Sequence, residues 1–367
     1  GAGPAGAGPG GGRKQRRQGG HENELLAAER VFLVGVEEKA APSDKIYAGP
    51  SFGIHESLAE LADLARTAGL DVVGQTWQRL DAPNPKTLIG SGKVEELRRE
   101  VARTGAETVV FDEELSPTQC SELERVMAAQ DVRVCDRTAL ILDIFSQRAR
   151  THEGKLQVSM AQAQYQLPRL TRMWTHLERQ SGSGQVRGMG ETQIEVDKRL
   201  LRDRMAALQG KLEKVRKHRS LYRERRQATP VPVVSLVGYT NAGKSTLMNA
   251  LTAAGVAAED RPFATLDPTT RRMPLPNGKE ALLTDTVGFI QRLPTELVAA
   301  FRATLEEIAE ASLLLHVVDV SSPSSAAQVA AVRRVLADLD VSHVPVLMVW
   351  NKVDLSPDPP PAGGGGG

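Results

Sequence analysis

Cysteine is nearly absent: Cys120 and Cys135 are the two in 367 residues, and they form no Cys-x-x-Cys pair. That scarcity argues against a disulfide framework or a zinc site and fits a reducing compartment. No apolar stretch approaches the roughly 18–20 residues of a membrane-spanning helix, so the chain reads as soluble, with no membrane partner. Neither sign of charge dominates, since 46 Lys and Arg face 45 Asp and Glu. Any preference for nucleic acid must therefore come from local clustering. The first residue is not Met. Gly1–Gly12 is Gly/Ala/Pro low complexity, Arg13–Arg17 is a basic arm, and Pro357–Gly367 is a Pro/Gly tail without strand or helix pattern.

What is present centres on Val231–Gly255. The β-branched run Val231–Val237 meets Gly238, Tyr239, Thr240, Asn241, Ala242, Gly243, Lys244 and Ser245, and a helical pattern follows. Strand, Gly-rich loop and helix are the context that a G-x-x-x-x-G-K-[ST] phosphate loop requires. Its glycines let backbone N–H groups turn toward phosphates, and the helix start adds its positive dipole end. Lys244 is placed to reach the β and γ phosphates and the Ser245 hydroxyl to ligate Mg²⁺. Downstream, Asp285, Thr286, Val287 and Gly288 end a strand in Asp-x-x-Gly form: an acid beside the metal shell and a glycine N–H able to sense a γ-phosphate. Asn351, Lys352, Val353 and Asp354 follow another strand. A carboxylate at Asp354 accepts from guanine N1 and N2, a donor pair that adenine lacks. Each motif alone is weak; in this order they point to a GTPase.

The rest of the chain divides by its periodicity. Residues 1–30 form the Gly/Arg-rich arm. Over 31–150, short apolar runs alternate with helical patterns, which predicts an α/β domain with a mostly parallel sheet. Within it, Ile89–Lys93 ends in Gly-Lys but lacks the preceding strand and a following Ser or Thr, so a helix-capping turn is expected rather than a second nucleotide site. Over 151–229, Leu156, Met160, Ala163 and Leu167, and later Leu201, Met205, Leu208 and Leu212, step by three and four. That spacing predicts an antiparallel helical hairpin, with a Gly-rich tip loop at 181–190 and a kink at Pro168. Its second arm is basic. A solvated face explains most such runs, but Arg187, Lys211, Lys214, Arg216 and Lys217 beside a bare Gly loop also suit an RNA phosphate backbone. Residues 230–356 form the P-loop GTPase domain, and 357–367 the tail.

Gly238–Ser245, Phe263–Arg271, Asp285–Phe289 and Asn351–Asp354 resemble the HflX family of translational GTPases, as do Leu140–Phe145, Leu115–Gln119 and Gly190–Gln193. The resemblance covers about Val31 to Asp354. Met173–Gln180 and Gly188–Gly190 are more similar to the plastid branch, so the chloroplast stroma is the favoured compartment and a bacterial-type cytoplasm the alternative. It implies GTP and GDP as ligands and binding to the large ribosomal subunit and its rRNA. It further implies splitting of stalled or idle 70S-type ribosomes, with an assembly factor or a plain RNA-binding module as alternatives; a monomer is expected. By motif, Phe263, Ala264, Thr265, Leu266 and Asp267 would form switch I, Thr265 joining Mg²⁺, and Asn241 resembles the asparagine that supports K⁺ in potassium-responsive GTPases. No guanine-clamping Ser-Ala loop follows Asp354, so the chain reads as a fragment lacking the C-terminal end of the GTPase domain. Finally, Phe289 stands where Ras-type GTPases have the Gln that orients water. Gln291, two residues on, would need an unusual turn to replace it, so slow hydrolysis stimulated by ribosomes is expected.

Overall fold

Four runs carrying Val, with Phe and Leu in several, each lead into a helix, and that alternation builds the first sheet. A computed structural model describes residues 28–39, 52–180, 187–227, 231–252, 262–266, 269–294, 297, 308–339 and 341–356, with backbone alone for 170–180, 187–194, 216 and 218–227. Strands β1 (Arg30–Glu38), β2 (Asp71–Leu80), β3 (Thr108–Phe111) and β4 (Arg133–Asp136) alternate with α1 (Ile54–Thr67), α2 (Ser91–Thr104), α3 (Pro117–Met127) and α4 (Arg137–Arg148). The strands pair in parallel in the order β2-β1-β3-β4. The order reverses between β1 and β3, the place where open α/β sheets leave a crevice at the strand carboxyl ends. Helix α1 packs so closely on β1 that a Cβ on Gly35 would lie 2.7 Å from Ile54 Cδ1. Ser116 and Gln119 form a reciprocal capping box at the start of α3, with Pro117 in its first turn. Gly90 caps α2 and Lys93 pairs with Glu96 at 2.7 Å, so the Gly-Ser-Gly-Lys stretch is a helix start.

The hairpin consists of α5 (His152–Gln180) and α6 (Arg187–Gln227). Leu156 and Met160, early in α5, bury against Leu208, with Met205, Leu212 and Val215 packed alongside, which is the antiparallel pairing the spacing predicts. Pro168, where a kink was expected, lies inside α5, which runs on to Gln180. One expectation changes. The tip loop was expected to reach Gly190, but Arg187–Gly190 already has helical backbone, and 181–186 lie outside the described residues. Each helical Gly costs about 1 kcal/mol; extending an existing helix is far easier than nucleating one, and α6 is 41 residues long.

The second sheet contains β5 (Val233–Gly238), β6 (Thr269–Pro274), β7 (Glu280–Asp285), β8 (Leu313–Asp319) and β9 (Val346–Asn351), with helices α7 (Lys244–Thr252) and α8 (Ser325–Asp338). Its order is β6-β7-β5-β8-β9, parallel except for β6 against β7. β5, at the centre, is the most buried of them, as parallel central strands are. No helix among the described residues is long and apolar enough to cross a membrane.

One apolar cluster joins the two sheets. It runs from Leu33, Leu58 and Leu61 through Ile141 and Phe145 to Tyr239, Phe263, Phe289 and Leu314. At its edge the guanidinium of Arg137, 2% exposed, pairs with Glu60 and, at 2.7 Å, with Asp112. Burial raises the Glu60 pKa, while Arg137 and the Tyr239 hydroxyl oppose that rise. Removing the cation would strand two buried carboxylates. Arg137→Met is therefore expected to cost about 3–5 kcal/mol. Urea unfolding should show a lower midpoint at unchanged slope; a loss below about 1 kcal/mol would mean that the carboxylates are satisfied elsewhere.

Candidate nucleotide site

The loop between β5 and α7 is held by backbone geometry that its residue types permit. Gly238 has φ +154°, and a Cβ there would come within 2.4 Å of the Val317 carbonyl oxygen on β8. Gly243 has φ +93°, and its Cβ would lie 2.1 Å from Asn351 Nδ2. Asn241, at φ +59°, takes the left-handed conformation that Asn tolerates. Lys244 opens α7 with its ammonium buried, donating to the carbonyls of Gly238 (3.1 Å) and Tyr239 (2.8 Å). Burial lowers its pKa to about 8, and only Asp285 opposes this. An anion in the loop would return the charge to its favoured state. A cavity of about 50 Å³ lies here, bordered by Asn241, Lys244, Ser245, Thr265 and Gly288.

Three oxygens converge beside Lys244. Ser245 Oγ lies 2.8 Å from Thr265 Oγ1, and both hydroxyls reach Asp285 Oδ2, at 2.6 and 2.8 Å. Asp285 is fully buried, and its other oxygen, Oδ1, has no hydrogen-bond partner. Two hydroxyls and a carboxylate with an orphaned oxygen are a hard donor set that fits Mg²⁺.

The other motif residues divide between the cavity and the core. Phe263 packs edge-on to Phe145 at 4.6 Å, and Arg148 donates to its carbonyl at 2.9 Å, so its ring belongs to the inter-sheet core. Ala264 and Thr265 border the cavity, Leu266 is buried, and Asp267 lies outside the described residues. Thr286 spends its hydroxyl on the Leu236 carbonyl at 2.6 Å, and Val287 is buried. Asn351 donates from Nδ2 to the Ala242 carbonyl at 2.8 Å, fastening the base-side motif to the phosphate loop. Lys352 takes φ +60° and pairs with Asp319 at 2.7 Å. Val353 and exposed Asp354 sit in the turn Val353–Leu355. On α6, Lys211, Lys214 and Lys217 are exposed; the side chains of Arg187 and Arg216 lie outside the described residues.

Past Asp285 the structure shows contacts that no motif signals. Phe289 donates its N–H to the Gly238 carbonyl (3.1 Å) and accepts from the Thr240 N–H (2.7 Å), continuing the β5–β7 pairing. The Phe289 side chain is buried. Gln291 donates its N–H to the Tyr239 hydroxyl at 2.7 Å, and its side-chain oxygen lies 3.5 Å from Ser57 on α1. The Tyr239 hydroxyl in turn donates to Glu60. Sequence spacing gave no hint of these partners, because Ser57 and Glu60 are about 180 residues or more from the segments they meet.

Three family descriptions match the chain in order: GTP-binding GTPase N-terminal over residues 55–146, GTP-binding GTPase Middle Region over 148–226, and 50S ribosome-binding GTPase over 233–352. The chain is 50% identical over 327 residues to GTPase HflX of Caldanaerobacter subterraneus subsp. tengcongensis, across 89% of this chain and 73% of that one. It is 51% identical over 303 residues to GTPase HflX of Escherichia coli, across 83% and 70%. A crystal structure of a GTP-binding protein from the hyperthermophilic archaeon Sulfolobus solfataricus in complex with GDP is similar at 23% identity and TM-score 0.45, covering 89% of this chain and 83% of that one.

Gly243 gives the sharpest local test. A methyl group there meets both a left-handed φ and the Asn351 amide, so Gly243→Ala should weaken GDP and GTP binding at least tenfold while far-UV circular dichroism stays native. Wild-type affinity in this variant would show that the loop does not need its observed backbone.

Proposed function

The chain belongs to the HflX family of GTPases and is a GTP-binding, GTP-hydrolysing protein, and from that premise we propose that it works on the large ribosomal subunit. In this reading it docks its helical hairpin on ribosomal RNA and splits stalled or idle 70S-type ribosomes. The observation that carries the proposal is a basic, solvent-facing α6 (Arg199, Arg202, Arg204, Lys211 and Lys214) in one chain with a segment matching the description of a 50S ribosome-binding GTPase. Plastid-like residues at Met173–Gln180 and Gly188–Gly190 make the chloroplast stroma the compartment we favour.

The proposed roles follow from the geometry. Backbone N–H groups of Asn241–Ser245 and the Lys244 ammonium cradle the phosphates. Ser245 and Thr265 would hold Mg²⁺ with Asp285 orienting their hydroxyls; the metal would supply neutralisation of phosphate charge. Asp354 accepts from the guanine edge while Asn351 locks its strand end onto the loop. Among the described residues no side chain is positioned like a Ras-type Gln: Phe289 is buried and Gln291 reaches toward Ser57. Catalysis of phosphoryl transfer is mostly positioning and charge stabilisation, so a docking partner can contribute ~10³-fold. K⁺ held near Asn241 would add positive charge at the same point.

Two measurements test this. In nucleotide titrations, Asp354→Asn should lose guanine preference while Lys244→Ala weakens guanine and adenine nucleotides alike; equal loss of GTP and ATP binding in Asp354→Asn would remove the base-recognition role. For hydrolysis, the free protein should turn over slowly, large subunits should stimulate it by ~10³-fold, and K⁺ should outperform Na⁺ unless Asn241 is replaced by Ala. Sucrose gradients should show GTP-dependent conversion of 70S-type particles to subunits. Replacing Lys211, Lys214 and Lys217 by Gln should weaken docking and flatten its salt dependence. Binding to subunits without splitting would favour an assembly role instead.

A further inference from the structure

The first domain reaches the nucleotide unit at more than one point. Beyond Asp285, the Arg292 guanidinium pairs with Asp112 Oδ2 at 3.6 Å and with Glu113. Elsewhere α4 meets residues 262–266, the segment that carries Thr265. That segment is neither helix nor strand, so no hydrogen-bonded ladder fixes its course. Side chains must do so instead. Phe263 takes φ +57°, a left-handed backbone that is unfavourable for a bulky residue. Its ring is buried and meets the equally buried Phe145 edge-on at 4.6 Å. Arg148, the last residue of α4, donates from Nη1 to the Phe263 carbonyl at 2.9 Å. A ring contact and a charge-assisted hydrogen bond thus hold one strained residue from the same helix end.

Phe263 and Leu266 both bury in the apolar cluster that joins the sheets. Thr265, between them, turns the other way: its hydroxyl lies 2.8 Å from Ser245 Oγ and 2.8 Å from Asp285 Oδ2. Two anchors therefore bracket one oxygen of the donor set that fits Mg²⁺. Val158 and Ala161 of α5 belong to the same cluster, so the seat of the segment is the corner where the hairpin leaves the first domain. Fixing a loop in one conformation costs backbone entropy. Contacts made from α4 offset part of that cost, which leaves less of it to be met by nucleotide binding.

We propose that Phe145 and Arg148 are positioning residues for the triphosphate state. From the end of α4 they hold Phe263 so that the Thr265 hydroxyl stands in the Mg²⁺ donor set. A triphosphate draws on that oxygen more than a diphosphate does, because GTPase switch segments are ordered by the γ-phosphate and its metal. The first domain therefore favours GTP over GDP, and by linkage a bound triphosphate tightens the seat of residues 262–266 on α4. The proposal rests on the guanine-nucleotide reading of the phosphate loop, and GDP affinity measured alongside tests that reading separately.

The experiment titrates the full chain with GDP and with the non-hydrolysable analogue GMPPNP, each in Mg²⁺ and again in EDTA. The variants are Arg148→Met, which keeps the stem and removes the donor, Arg148→Lys, Phe145→Leu, Thr265→Val, and Arg148→Met combined with Thr265→Val. Arg148 is half-buried, so its variants carry the test even where Phe145→Leu lowers stability. In Mg²⁺, Arg148→Met and Phe145→Leu should each weaken GMPPNP at least about fivefold, with GDP affinity within about twofold of wild type. Arg148→Lys, which retains a donor, should recover most of the loss. In EDTA the gap between wild type and Arg148→Met should close to within about twofold, which a general loosening of the core would not produce. In the Thr265→Val background Arg148→Met should add nothing, since the oxygen it positions is gone. Equal weakening of GDP and GMPPNP, unchanged GMPPNP affinity in Arg148→Met, or its full effect persisting in EDTA or in Thr265→Val would overturn the proposal. Failure of the wild type to bind GDP would overturn the nucleotide reading beneath it.

Discussion

The joint made by Tyr239, Glu60 and Arg137 is the interaction on which the arrangement depends. Tyr239 is the second residue of the phosphate loop, yet its hydroxyl spans from Glu60 on α1 to the Gln291 N–H. Arg137 neutralises Glu60 and Asp112 in a place where an unpaired carboxylate would be costly. Around this polar knot the two sheets share a single apolar cluster. The first sheet is thus a wall of the nucleotide unit, and the phosphate loop is shaped in part by residues nearly 180 positions earlier.

That dependence explains why the loop tolerates so little substitution space. Gly238 backs onto the Val317 carbonyl, Gly243 onto the Asn351 amide, and Gly288 onto Thr240 and Lys244. Each glycine marks a close approach between different strands or loops of the second sheet. The fastening of Ala242 to Asn351 links the phosphate end to the base end through one hydrogen bond. The phosphate end and the base end therefore belong to one frame.

The elements of both sheets were legible because they rest on local signals. β-branched runs ending at Gly, Pro117 in the first turn of α3, and a Gly before α2 all act within a few residues. The phosphate loop and the Ser245 and Asp285 pair were legible for the same reason: Gly, Lys, Ser and Asp at fixed offsets follow from phosphate and metal chemistry. The helical start at Arg187 was hidden because glycine propensity is a weak prior in a helix of 41 residues. The contacts of Phe263, Gln291 and Arg292 were hidden for a different reason. Which face of a loop residue meets which distant helix depends on how two units dock, and no periodicity encodes that. Phe263 reads as part of a switch by motif, yet its ring is spent on Phe145.

Consecutive residues at the start of α4 join the hairpin to the nucleotide unit. Asp136, fully buried, accepts from the Ala139 N–H that it caps, from the Leu115 N–H, from the Tyr165 hydroxyl at 2.8 Å and from Arg169 at 3.2 Å. Arg169 also stacks over the Tyr165 ring of the same helix at 3.5 Å, so the two side chains that meet the saturated Asp136 carboxylate brace one another. The next residue, Arg137, holds Glu60 and Asp112, which in turn reach Tyr239 and Arg292. A short chain of packed, hydrogen-bonded groups thus runs from α5 through α4 to Tyr239 and Arg292. Such a chain carries free energy only if its far end has two arrangements.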